Sequence, residues 1–71
     1  MKINYDAATD SLYIHLSERA SADADEVSEG VVLDYDAAGV LVGIDIQHAS
    51  RRTDLATLSV NKLPLGHLDA A

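Results

Sequence analysis

Four aspartates, Asp6, Asp10, Asp34 and Asp36, fall at or beside predicted turns, and clustered carboxylates are the ligands that a hard cation takes. A calcium loop needs alternating acids, a glycine and a distant glutamate, and that spacing is absent. Aspartates also begin turns and border strands by accepting backbone hydrogen bonds nearby. That reading covers all four, so no metal site and no cofactor is expected. His15 and Asp45 offer a second chemistry, because a carboxylate beside a histidine raises its proton affinity and orients the ring. Catalysis would further require a nucleophile or an oxyanion donor, and Ser11 stands in no motif that supplies one. A polar outer sheet face explains His15 and Asp45 without an activity, and no enzyme is expected. His48 and His67 lie in irregular segments unconnected to His15. Gly39 and Gly43 make no phosphate loop, since no Lys-Ser/Thr pair and no helix follows them.

Tyr13 breaks the polar pattern around it. It shares its predicted face with Val32 and Leu41, and grouped apolar residues on an outer face mark either a contact surface or a face covered from within the chain. Leu55, Leu58 and Leu63 are the candidates for internal cover, and the two readings stand level. If the cover is incomplete, Tyr13 anchors the partner, because aromatic residues dominate interface energetics. Arg51 and Arg52, with Lys62, are the basic spot of an acidic chain. They lack interleaved aromatics, so a solvated pair outweighs a nucleic-acid contact. The candidate protein interface is therefore Tyr13, His15, Val32, Leu41, Asp45, Arg51 and Arg52.

The elements that position these residues follow from a repeat. A shift of 30 places Tyr5-Asp6-Ala7-Ala8 on Tyr35-Asp36-Ala37-Ala38. The same shift sets Ile3 on Leu33, Leu12 on Val42, Ile14 on Ile44 and Leu16 on Ile46. Two copies are too few for a solenoid, so duplicated hairpins in one sheet are predicted. Each copy alternates with period two, as a sheet with one covered face requires. The predicted core is Ile3, Tyr5, Leu12, Ile14, Leu16, Leu33, Val42, Ile44 and Ile46. Asp36-Ala37-Ala38-Gly39 reads as a turn with Gly39 in a left-handed conformation, and Gly30 as a bulge or a turn. Hairpin 1 occupies about residues 1–17 and hairpin 2 about 27–47. Between them Ser17 to Glu26 carries five charges and no period, which reads as an exposed loop. In the C-terminal segment, 48–71, residues 48–54 suit one or two helical turns and Leu58 and Val60 a short strand ahead of Pro64.

The 71-residue chain makes one domain. Of its 34 hydrophobic residues 11 are alanine, and no Trp, Phe or Cys is present, so its own core is small and unstapled. Such scaffolds gain stability by oligomerising or binding a partner. The net charge is −7, with ten acids and two bases in residues 1–47. That balance disfavours direct nucleic-acid binding and suits either solubility or a basic partner. No apolar run approaches a membrane span and no signal pattern opens the chain; with cysteine absent, the cytoplasm is the expected location.

The order Tyr5-Asp6, Asp10-Ser11-Leu12-Tyr13-Ile14, Glu26-Val27, Gly30-Val31-Val32-Leu33-Asp34 and Gly39-Val40-Leu41-Val42-Gly43-Ile44-Asp45-Ile46 resembles the small bacterial and archaeal domain-of-unknown-function family numbered 2283. The likeness covers about residues 2–50. Ala7 stands where members often carry proline, and Asp45 where glutamate is usual. The resemblance implies that the chain is similar to members that look like the antitoxin half of two-gene toxin–antitoxin modules, encoded beside a small basic protein.

The expected fold is α+β and mainly β: a small antiparallel sheet of two repeated hairpins with a short C-terminal helical turn or strand. The leading functional expectation is a protein-binding module, antitoxin-like, that masks a basic partner protein. The first alternative is a structural homo-oligomer without catalytic activity. The second is a small ligand-binding protein or enzyme using His15 and nearby aspartates, which requires a deep pocket around His15.

Overall fold

Five strands, four of them with alternating apolar residues, and one helical turn make up the computed structural model, which describes residues 1–57. In chain order these are β1 (Lys2–Asp6), β2 (Ser11–His15), β3 (Asp23–Ser28), β4 (Val31–Tyr35), β5 (Leu41–Gln47) and α1 (Ala49–Arg52). They form one antiparallel sheet in the order β1-β2-β5-β4-β3.

The repeat governs the register. Ile3 opposes Ile14 in β1–β2, and thirty residues on, Leu33 opposes Ile44 in β4–β5. The two hairpins then meet through β2 and β5, where Ile14 opposes its own counterpart Ile44. A pseudo-two-fold axis therefore runs through the sheet between these two isoleucines. The turns obey it too: Asp6 Oδ1 accepts from the Ala8 N–H at 3.0 Å, and Asp36 Oδ1 from the Ala38 N–H at 2.9 Å. The symmetry fails at the end of β4, where the register shifts between Asp34 and Tyr35 so that Tyr35 opposes Leu41. Gly39, with φ +83°, supplies the left-handed turn residue in the second hairpin.

β3 corrects the reading of residues 17–26 as a loop. Asp23–Ser28 pairs with β4, with a register shift between Glu26 and Ser28. All six residues are exposed, and a strand with neither face covered has no reason to alternate, so its period-two signal never develops. Its carboxylates also suit a sheet edge, where charge discourages pairing with other chains. The connection that remains, residues 17–22, is fastened by the Arg19 guanidinium on Asp36 at 3.0 Å.

The expected core is corrected as well. Val42 is buried, but Leu12, Ile14, Leu33, Ile44 and Ile46 are half-buried, and Ile3, Tyr5 and Leu16 are exposed. The cause is layer number: a single sheet buries a face only when a second layer packs on it, and among the described residues one helical turn accompanies the sheet. That turn confirms the helical expectation for 48–54. Leu55, a candidate for internal cover, is 41% exposed. Leu58, Val60, Lys62, Leu63, Pro64 and His67 lie outside the described residues.

Candidate functional site

Opposed residues in a sheet share a face, so the register fixes who meets whom. One row on the face away from the isoleucines runs Lys2, His15, Gly43, Asp34 and Ala24. The next runs Asn4, Tyr13, Asp45, Val32 and Glu26. Tyr13 reaches from the second row into the first. Its ring lies across Gly43, close enough that a Cβ on that glycine would collide with the hydroxyl, and the hydroxyl donates to Asp34 Oδ2 at 2.6 Å. On the other side the Tyr13 and His15 rings meet edge to face with centroids 4.4 Å apart.

By accepting the phenol's hydrogen bond, Asp34 opposes loss of that proton; burial and the charges of Asp34 and Asp45 add to the effect, and the Tyr13 pKa is pushed up to about 12. Tyr13 is thus a neutral donor at any ordinary pH, tied down on a half-buried sheet face.

The structure brings Tyr13, His15, Val32 and Asp45 onto one face. His15 opposes Gly43 and Asp45 opposes Tyr13, so the His15–Asp45 pair is diagonal, and no hydrogen bond or ion pair joins the two among the described residues. Leu41 lies at the register shift, Arg51 is exposed on α1, and the Arg52 guanidinium rests over Gly30. Beside His15 is an open hollow of about 340 Å³ bordered by Lys2, Ser17, Glu18, Arg19 and Ser21. Ser17 Oγ accepts from the Arg19 N–H at 3.2 Å.

In the sequence Asp34 reads as a turn or strand-edge aspartate and Gly43 as a glycine that makes no phosphate loop, and neither reading ties it to Tyr13. The usable signal was a lone glycine inside a strand, which marks a close approach by another group, two positions from a tyrosine's opposite partner.

A second node joins the chain's ends of the repeat. Asp10, at φ +53°, accepts from the Tyr5 hydroxyl at 2.7 Å, from the Ser50 N–H at 3.1 Å and from the Ser50 hydroxyl at 2.7 Å. Its carbonyl accepts from the Ala49 N–H at 2.9 Å. The turn of hairpin 1 thereby holds α1 against the end of β5. The four aspartates engage separate partners: Asp6 and Asp36 their own turns, Asp10 α1 and Asp34 Tyr13.

Asp10 is held below the usual carboxylate range, first by the Ser50 hydroxyl, then by the Tyr5 hydroxyl. Asp36 is lowered chiefly by the Val40 N–H, with the Ala38 N–H and Arg19 assisting. A depressed folded-state pKa contributes stability above the unfolded value, near 4, that is lost as pH falls through the folded value. Stability should therefore drop below about pH 4, and Asp10→Asn should flatten that drop while lowering stability at pH 7. Urea midpoints measured from pH 7 to pH 3 check this; parallel curves for the two proteins would remove Asp10 from the account.

Residues 2–50 match the family model described as "Protein of unknown function (DUF2283)", and the chain belongs to that family. No curated protein and no solved structure matches it. Among the described residues no helix is long and apolar enough to cross a membrane.

Proposed function

We propose that this member of the family is a protein-binding module whose apolar sheet face docks a partner protein. The observation that supports the reading is the partly exposed isoleucine face: among the described residues Ile3 is 45% and Tyr5 46% exposed, Ile14, Ile44 and Ile46 are half-buried, and no large side chain is fully buried. Contiguous apolar surface of that kind costs free energy in water and is relieved by association. Asp25 opposes Leu33 and Asp23 opposes Tyr35, so carboxylates border this face at β3. With ten acids and two bases in residues 1–47, the fitting partner is basic, drawn in by long-range attraction and held by apolar contact.

The finer reading is antitoxin-like: the domain covers a working surface of a small basic protein and silences it. This function needs no chemistry from His15 or the aspartates. The test is affinity capture of the tagged chain from its native cells at low and high salt, alongside a Leu16→Glu variant. Alternation places Leu16 with Leu12 and Ile14, and it is 37% exposed, so the variant should keep the sheet and its circular dichroism. The expected result is one small basic protein recovered in near-equal amount with the native chain, and its loss with Leu16→Glu. Recovery of no protein, or of one that ignores the substitution, would set the reading aside.

A further inference from the structure

The outward edge of β1 carries a self-complementary code. Backbone groups along a strand point alternately to its two sides, and three bonds fix the phase here. The Leu16 N–H donates to the Val42 carbonyl at 2.9 Å, the Gln47 N–H to the Gly30 carbonyl at 2.7 Å and the Ala22 N–H to the Tyr35 carbonyl at 2.8 Å. Leu12, Ile14 and Leu16 thus direct their main chain toward β5, and Ser11, Tyr13 and His15 toward β1. Their partners Asp6, Asn4 and Lys2 direct theirs back toward β2. The N–H and C=O groups of Ile3 and Tyr5 are left facing outward from a strand exposed along its whole length.

We infer that β1 pairs antiparallel with β1 of a second copy about a two-fold axis at Asn4, joining two five-stranded sheets edge to edge. In that register Ile3 opposes Tyr5 of the other copy, the two residues whose backbone groups face outward, and their bonds form without disturbing the ladder to β2. Lys2 opposes Asp6 of the other copy at both ends, and the two Asn4 side chains meet on the axis. Every pair is complementary. Because opposed residues share a face, the two apolar faces also become one continuous surface. An isologous contact of this kind closes at two copies. The other edge is unsuited to the same act: β3 carries Asp23, Asp25 and Glu26, and two such strands would set like charges against each other. This inference stands apart from the docking proposal, because it uses the main chain of one strand and leaves the sheet face free.

The experiment is sedimentation equilibrium of the full chain with two charge variants, Lys2→Glu and Asp6→Lys. Each variant alone places like charges at both ends and should weaken dimerisation about tenfold or more. Mixed in equal amounts, the two restore opposite charges at both ends, and a heterodimer should form within about threefold of the native affinity. Asp6→Lys also removes the Ala8 turn bond, so amide hydrogen exchange on the unaltered chain provides a second readout. There, the Ile3 and Tyr5 amides should gain protection as concentration rises. A chain that stays monomeric, a dimer indifferent to both variants, or amides at 3 and 5 that exchange alike at all concentrations would each overturn the inference. Failure here leaves the Leu16→Glu capture result untouched, and the reverse holds.

Discussion

Gly43→Val should lower the unfolding free energy by about 2 kcal/mol, although valine is the better strand former. Gly43 is buried beneath Tyr13, and a side chain there must evict the ring. Eviction breaks the bond to Asp34, and a hydrogen bond to a charged group contributes about 1.5–3 kcal/mol. It also ends the edge contact with His15, about 0.5–1.5 kcal/mol, while the gain in strand propensity offsets at most about 1 kcal/mol. The decisive control is a double-mutant cycle. With Tyr13→Ala already in place the obstacle is gone, and Gly43→Val should be neutral or stabilising. Urea unfolding measures both. The alkaline titration reports the same event: a raised tyrosine pKa contributes stability below the ordinary value near 10 that is lost as pH rises toward 12. In Gly43→Val the Tyr13 component of the tyrosine absorbance should titrate near 10 instead of at about 12. Equal losses in both backgrounds would mean that the glycine serves the backbone and not the ring.

Ala49→Leu should cost about 1–3 kcal/mol, the usual penalty of forcing methylenes into a filled position. Ala49 is 0% exposed and begins α1 immediately after His48, which itself has φ +54°. The chain enters this turn under tight constraint and has no slack to accommodate a larger side chain. Displacing α1 should also release Asp10 from Ser50, so the acid profile of Ala49→Leu should resemble that of Asp10→Asn. The Tyr5 hydroxyl gives a local report, since its bond to Asp10 raises its pKa. Chemical denaturation with tyrosine titration tests both effects, and a fully stable Ala49→Leu would show that α1 moves freely on the sheet.

The parts of the molecule that were legible from the residues are those set by short-range pattern. The repeat at Tyr5-Asp6 and Tyr35-Asp36 foretold both hairpins because each turn is closed by its own aspartate, two residues from the N–H it holds. β3 was hidden because its burial is one-sided in neither direction. Tyr13 stands out in the sequence as a misfit, yet its partner Asp34 lies two strands away across β5. Only the strand order brings them together, and no local spacing encodes that order. Asp10 shows the same limit more sharply. As a turn residue it was expected, but its bonds to Ser50 span forty residues, a reach that no turn signature carries.

The meeting of Ile14 with Ile44 has a kinetic consequence. Each hairpin closes over a handful of residues, and such closures take about microseconds. The two central strands join segments thirty residues apart in the chain, so their encounter carries the larger loop-closure entropy. The hairpins should therefore form and dissolve many times before the isoleucines meet, and that meeting should set the folding rate. A lengthened connection between residues 17 and 22 would slow folding while scarcely changing the speed at which the finished sheet comes apart.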